Sequence, residues 1–204
     1  MSCVLSIVPP RDAAKTARRV FDATSSQSGS RSQPLYYLDL NAIAPASARN
    51  TDELFASNPN IVLIDGGIIG GVPYAKDDHT ATSPSWHCPS LIVSGPRKLP
   101  DSRLSEVLNI QHLDKPVGAA TGLKMCFAVT TKGFNALAIQ SFTTAYELGV
   151  LDELTSYLGK YNAPTLKLAE KGLTVMPPKA YRWVGEMLEI AETMADDGGF
   201  TKEL

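Results

Sequence analysis

The stretch GAATGLKMCFAVTTKG, Gly118 to Gly133, marks the point where the organisation of this chain changes. Upstream of it, short apolar runs typical of strands alternate with helical patterns. Downstream of it, the strand signals stop and helical periodicity continues towards the C-terminus. The stretch also places a single lysine, Lys124, among apolar and small residues, so it bears on both the fold and the chemistry of the chain.

The composition predicts a soluble globular chain, long enough at 204 residues for one large domain or two small ones. A net charge of -2 gives no electrostatic reason to expect nucleic acid or an anionic membrane surface as a partner. Polar residues interrupt the apolar segment 123–142 too often for a membrane span. The three cysteines are widely spaced and suggest neither disulfides nor a metal site, so we expect a cytoplasmic protein without a metal.

Strands and helices alternate in the first half, which predicts an α/β layer with a largely parallel sheet. The predicted strands and helices are, in order, Cys3–Val8, helix Asp12–Thr24, Leu35–Leu40, helix Pro45–Ala56, Ile61–Ile64 and Leu91–Ser94.

The second half is predicted to be entirely helical. One helix of some thirty residues, 119–148, would be on the order of 45 Å long and would have to leave its own domain or meet a partner. Gly122 and Gly133 inside it each weaken a helix by roughly 1 kcal/mol relative to alanine, which indicates close packing, a ligand or a kink. Further helices are predicted over 151–161, 164–171 and 178–195.

The stretch IVLIDGGIIGGVP, Ile61 to Pro73, reads as a strand that ends in Asp65 and runs into two diglycine pairs. Backbone without Cβ atoms lets a ligand approach the main chain and its N–H donors, which favours a site for an anion or a hydroxyl group. A glycine-rich turn that binds nothing explains the pattern equally well.

Lys124 is the strongest candidate for chemistry. Its apolar neighbours would desolvate the ammonium, lower its pKa and make a neutral amine available as a general base. The alternative is a lysine that extends along an exposed stripe, which is the commoner case for an isolated lysine. Lys132 follows two helical steps of four later, on roughly the same face, where it would hold an acidic substrate group or face water.

The C-terminal helix carries glutamates every three residues, at Glu186, Glu189 and Glu192, a spacing most often found on a solvated face. Tyr181 and Trp183 on the same helix are expected to pack against the protein rather than to bind a cofactor.

Taken together, these stretches resemble one family over nearly the whole chain. SIVPP, LDLNAIAP, DGGIIGG and GAATGLKMCFAVTTKG follow the order found in β-hydroxyacid dehydrogenases, the group that contains 3-hydroxyisobutyrate and 6-phosphogluconate dehydrogenases. The tail PPKAYRWVGEMLEIAETM is similar to the helical domain of a phosphogluconate-dehydrogenase-like branch. The resemblance implies a partial Rossmann-like NAD(P)-binding domain at 1–117, followed by an all-helical 6-phosphogluconate dehydrogenase C-terminal-like domain at 118–204.

The resemblance also implies roles for particular residues. Lys124 falls on the catalytic lysine, and the substrate-binding block falls on Ile69, Gly70 and Gly71. Lys132 is a further candidate substrate contact because of its spacing from Lys124, not because of the resemblance. Relatives commonly have serine where this chain has Ile69, and asparagine where it has Ala128. The substrate contacts are therefore expected to differ, in a less polar pocket that would suit a bulkier or less charged alcohol or an imine.

The implied function is an NAD(P)-dependent oxidoreductase that transfers hydride between nicotinamide and a hydroxy or imine substrate, as a homodimer formed through the helical half. Pro9, Pro10 and Asn41 match the loops that flank the nicotinamide. Relatives begin with a GxGxxG turn that holds the cofactor pyrophosphate, and this sequence has none. The alternative is therefore a catalytically silent dimerisation module that does not bind nucleotide.

Overall fold

The computed structural model describes residues 2–26, 32–76 and 85–200. Seven strands are found within these ranges: β1 (Ser2–Ser6), β2 (Leu35–Asp39), β3 (Ile61–Ile69), β4 (Tyr74–Ala75), β5 (Trp86–His87), β6 (Ser90–Ser94) and β7 (Ile110–His112).

Helices surround the sheet and form the second half of the chain. They are α1 (Pro10–Ser25), α2 (Pro45–Ala56), α3 (Ser102–Val107), α4 (Ala119–Ala128), α5 (Phe134–Glu147), α6 (Leu151–Tyr161), α7 (Ala163–Val175) and α8 (Ala180–Asp196). The predicted order, an α/β half followed by an all-helical half, is confirmed. A short 3₁₀ turn, Pro177–Lys179, leads into α8.

The main sheet has the order β1-β2-β3-β6-β7. Strands β1, β2 and β3 are parallel, as predicted, whereas β6 runs antiparallel to β3 and β7 runs parallel to β6. The sheet is therefore mixed. The described residues between β3 and β6 form the short strands β4 and β5 and no crossover helix, and a parallel pair needs such a crossover.

The prediction that the third strand ends at Asp65 is wrong. Strand β3 continues through Gly66 and Gly67 to Ile69, and both glycines pair with β6. A Cβ atom on Gly66 would lie 2.8 Å from Leu40 Cδ2, so the first diglycine pair permits close packing and is not an open turn. Sequence reasoning missed this because glycine usually weakens a strand.

Both faces of the sheet are covered, which explains why its strands appear as nearly continuous apolar runs. Tyr37 and Leu63 face α1 and α2 and pack with Phe55. Leu38 and Ile64, one residue further along each strand, point to the opposite face because side chains alternate along a strand.

The predicted long helix is present over 119–147, but it is not uniform. Between α4 and α5 the backbone forms a π-helical turn, Val129–Gly133. Such turns are rare in proteins overall, and those that occur are often found at functional sites. This turn contains Lys132 and ends at Gly133, where a kink was one of the three predicted reasons for a glycine, and the helical geometry does change there.

Short segments were the ones that sequence patterns missed, namely α3, β4, β5 and β7. Each has six residues or fewer, and a segment of that length holds too few positions for a periodic pattern.

The proposed division of the chain at 117/118 stays a prediction. In the described parts of the chain, no helix is long and apolar enough to cross a membrane.

Close contact between β3 and α4 generates a testable prediction. A Cβ atom on Gly67 would lie 2.8 Å from Lys124 Cβ and 3.4 Å from the Ala120 carbonyl oxygen. We expect Gly67→Ala to lower the free energy of unfolding by about 1–3 kcal/mol, the usual cost of overpacking. Urea denaturation measures this change.

The matched control is Gly71→Ala, because a Cβ atom on Gly71 would meet no atom within 4 Å. That variant should unfold at the same urea concentration as the wild type or slightly above it. Equal stability of the two variants would contradict the close approach of α4 to β3.

Candidate active site

Asp65 holds the start of α4. Its carboxylate is fully buried, and its Oδ2 accepts hydrogen bonds from the backbone N–H groups of Gly118 at 2.8 Å and Ala120 at 3.2 Å. The Ser94 hydroxyl donates to the same oxygen at 2.7 Å, and the Thr121 hydroxyl donates to Oδ1. A carboxylate from the centre of the sheet therefore occupies the N-terminus of the helix.

This arrangement replaces an ordinary N-cap. Gly118 stands at the cap position, has φ of 96° and has no side chain to accept the free N–H groups of the first turn. Negative charge at a helix N-terminus also interacts favourably with the helix dipole. Asp65 thus supplies from β3 what the local sequence lacks, and it determines where the following residues of α4 lie.

Lys124 lies one turn further along α4, against β3. Its side chain packs on Gly67, and its Nζ donates a hydrogen bond to the carbonyl oxygen of Ile68 at 3.2 Å. Burial lowers the pKa of Lys124, because desolvation disfavours the charged ammonium. The side chain is partly buried and does not extend along an exposed stripe, which was the alternative interpretation.

The second diglycine pair follows directly after β3. Ile69 is the last residue of the strand, and Gly70 adopts φ of 121°, a conformation that favours glycine. Gly71 is exposed. Since Lys124 Nζ bonds to Ile68, next to Ile69, the structure brings the predicted base to the strand end from which the predicted substrate block begins.

Lys132 is held by the C-terminal helix. Its Nζ forms an ion pair with Glu186 and lies 5.4 Å from the centroid of the Trp183 ring. Burial is the main reason that its pKa falls to about 8, and the positive charges of Lys124 and Arg182 lower it further. The Glu186 carboxylate acts in the opposite direction, because it stabilises the ammonium.

Two of the three glutamates on α8 do not form a solvated face, so that interpretation is wrong for them. Glu186 pairs with Lys132, and Glu189 accepts a hydrogen bond at 2.7 Å from the backbone N–H of Ala44, at the start of α2. Burial raises the pKa of Glu189. The three-residue spacing could not reveal this, because the partners lie more than 50 positions away in the sequence.

The predicted cofactor residues meet at the ends of β1 and β2. Pro9 and Pro10 begin α1, and the Asn41 side chain joins this loop to the next by accepting from the Val8 N–H at 2.7 Å. Asn41 Nδ2 donates to Ser6 Oγ at 2.9 Å and to Asp39 Oδ1 at 2.7 Å. Asn41 is 2% exposed, so its side chain shapes the two loops from inside the fold.

Asp39 is a buried acid that sequence reasoning did not single out. Its Oδ1 accepts from Asn41, while its Oδ2 has no hydrogen-bond partner among the described residues. Burial is the largest cause that raises the pKa of Asp39 to about 6, and the charge of Asp65, its register neighbour on β3, adds to this. A buried acid below these two loops is the kind of group that only the fold can reveal.

No cluster of three or more histidine, cysteine, aspartate or glutamate side chains suited to a metal ion occurs in the part of the chain that the structure describes.

Comparison with known proteins supports the fold. Residues 145–204, which include α6, α7 and α8, match the family described as Domain of unknown function (DUF1932). No curated protein matches the chain.

Solved structures match nearly the whole chain. A conserved protein described as structurally similar to 3-hydroxyacid dehydrogenases has a TM-score of 0.64 and 24% identity, with 96% of this chain and 69% of that chain covered. A 3-hydroxyisobutyrate dehydrogenase from Salmonella typhimurium has a TM-score of 0.60 and 17% identity, with 98% and 68% covered.

A reductive aminase from Aspergillus terreus, in complex with NADPH and ethyl-5-oxohexanoate, has a TM-score of 0.51 and 18% identity, with 96% of this chain and 58% of that chain covered. The chain thus has the fold shared by 3-hydroxyacid dehydrogenases and this reductive aminase, and the predicted resemblance is confirmed for the fold. It spans 58–69% of the length of these three structures.

The second prediction concerns the contribution of Asp65 to stability. Asp65→Asn removes the negative charge and one strong acceptor from the start of α4. Hydrogen bonds to charged groups are each worth about 1.5–3 kcal/mol, so we expect a loss of roughly 3 kcal/mol in the free energy of unfolding. Urea denaturation followed by circular dichroism measures it.

Asp101→Asn is the control, since Asp101 caps the short exposed helix α3 by accepting from the Leu104 N–H at 2.9 Å. Asparagine caps helices about as well as aspartate, so that variant should keep wild-type stability. A similar small effect of both substitutions would refute the structural role of Asp65.

Proposed function

We propose that this protein is an NAD(P)-dependent oxidoreductase of the β-hydroxyacid dehydrogenase type, acting on a hydroxy or imine substrate. The observation that carries the proposal is the position of Lys124, a partly buried amine hydrogen-bonded to Ile68 at the end of β3. The fold shared with dehydrogenases and a reductive aminase supports it.

Lys124 is the proton-transfer group in this proposal. In alcohol oxidation the neutral amine accepts the hydroxyl proton, and in the reverse direction the ammonium returns it. Because burial lowers the pKa of Lys124, the neutral form is populated at a lower pH than for an exposed lysine. Oxidation should therefore become faster as the pH rises through this lowered pKa, while reduction becomes slower.

The substrate lies, in this proposal, between Lys124 and the segment Ile69–Gly71, with Lys132 as a further contact. The positive φ of Gly70 turns the chain away from β3. At Gly71 a Cβ atom would meet no atom within 4 Å, so the backbone there is accessible to a substrate oxygen. Ile69 adds an apolar surface. This combination favours a substrate less polar than a small hydroxy acid.

The residues of this chain fit the nicotinamide end of the cofactor. Ligands of open α/β sheets bind beyond the carboxyl ends of the parallel strands, and the two loops joined by the Asn41–Val8 hydrogen bond lie there. Pro9, Pro10 and Asn41 would shape this end of the site. When bound, NADP or NAD supplies the hydride acceptor or donor.

The test uses Lys124→Met, which keeps the volume of the side chain and removes the amine. We expect turnover to fall by at least 10²-fold, the usual contribution of a general acid or base, with unchanged NADPH affinity and stability. NADPH absorbance with 3-hydroxy acids and a cyclic imine measures turnover, and calorimetry measures affinity. Lys115→Met, an exposed lysine before α4, is the control and should retain wild-type rates.

Wild-type turnover by Lys124→Met would exclude the proposed base. No NADPH binding by the wild type at millimolar cofactor would instead favour the silent module. The two outcomes are distinguishable, because the first concerns the proton and the second concerns the cofactor.

We further propose that the protein is a homodimer formed through its helical half. Exposed large apolar side chains recur there, including Tyr146 at 70%, Leu148 at 70% and Tyr161 at 73% exposure. Exposed apolar surface of this kind commonly marks a protein interface.

Light scattering should therefore give twice the 21.9 kDa mass of one chain at micromolar concentration. The double variant Leu148→Glu and Tyr161→Glu places charges on this surface and should shift the mass to that of a monomer. Val107→Glu is the control, since Val107 is 68% exposed on α3 in the α/β half and should leave the dimer intact. A wild-type mass near 22 kDa contradicts the dimer.

A further inference from the structure

An apolar groove of about 400 Å³ lies between the start of α5 and the start of α8. Its apolar lining includes Ile139, Met176, Trp183 and Met187, and Lys132 stands at its polar end. We call this cavity the α5–α8 groove. Its volume falls within the range of small-molecule sites, which are mostly apolar with a few polar groups that fix orientation.

The polar end of the groove is unusual for a purely structural cleft. The Lys132 and Glu186 side chains are 15% and 25% exposed, and Lys132 stands on a π-helical turn. Burying an ion pair costs desolvation energy that an apolar pair would avoid. A stability role alone therefore does not account for the pair.

The charges around Lys132 do not balance. The positive charges of Lys124 and Arg182 both act on Lys132, while Glu186 is its carboxylate partner. Glu189, on the same helix, is bonded to Ala44 on the α2 side. An ammonium group has three N–H donors, so the ion pair leaves donors for a further acceptor in a region of net positive charge.

A second copy of the chain is a less suitable occupant of this groove. Charged residues are depleted from the centres of protein interfaces, whereas the α5–α8 groove ends in a partly buried ion pair. A small amphipathic anion satisfies both the apolar walls and the surplus positive charge.

We propose that the α5–α8 groove binds the apolar body of an organic monocarboxylate, with the carboxylate at Lys132 and the hydrocarbon against Trp183 and Met187. Lys124 lies eight residues before Lys132, about 12 Å along the helix axis. The groove continues from Lys132 towards Ile139, away from Lys124, so this binding is separate from the proton transfer proposed at Lys124.

Octanoate is the probe, titrated without cofactor and followed by calorimetry and by the fluorescence of Trp183. We expect butyrate, with a short hydrocarbon, and octylamine, with the opposite charge, each to bind at least about tenfold more weakly, since tenfold corresponds to 1.4 kcal/mol. Lys132→Met should weaken octanoate binding by about tenfold, the loss of one charged hydrogen bond.

A second variant, Ala136→Phe, tests the groove without changing the ion pair. Ala136 lines the groove and is exposed, so a phenylalanine side chain there fills the groove and does not disturb the core. It should abolish octanoate binding. Leu137→Phe is the control, because Leu137 is the next residue, is 65% exposed and does not line the groove. This variant should bind octanoate as tightly as the wild type does.

Equal binding of octanoate and octylamine, or wild-type binding by Ala136→Phe, overturns the proposal. Octanoate binding that weakens as the protein concentration rises also overturns it, because a second copy then occupies the groove. The test does not depend on the proposed function, because octanoate is titrated without cofactor.

Discussion

The hydrogen bonds between Asp65 and the start of α4 are the interaction on which the rest of the structure depends. They connect the middle of the sheet to the first turn of the long helix, through a carboxylate that is fully buried. A buried charge is costly unless it is paired, and here helix N–H groups and two hydroxyl groups satisfy it. Few alternative placements of α4 could satisfy this carboxylate equally well.

The position of Lys124 follows from this constraint. With α4 held at its N-terminus, the lysine meets β3 at Gly67, the one type of residue that leaves room for its side chain. The same long helix then carries Lys132 to α8, where Glu186 and Trp183 meet it. The candidate base and the α5–α8 groove thus lie along one long helix, and the π-helical turn brings Lys132 to the groove.

Sequence reasoning was successful where local patterns carry the information. Helix α2 and helix α6 were predicted with their observed bounds, since each has a clear start and a periodic apolar face. The end of β3 was misjudged, because glycine in a strand looks like a break unless the atoms that crowd it are known. The partners of Glu186 and Glu189 were missed for a related reason, since both lie on other helices or loops.

The sequence by itself determined the division into an α/β half and a helical half, and it identified Lys124 as a lone cation among apolar neighbours. Both follow from local periodicity and composition, which any stretch of chain displays before it folds. Only the tertiary structure decided that Asp65 anchors α4, that Asp39 is buried below the loops of Pro9 and Asn41, and that Lys132 faces a groove. Those features depend on contacts between residues that are far apart in the sequence, and local sequence patterns carry no information about such contacts.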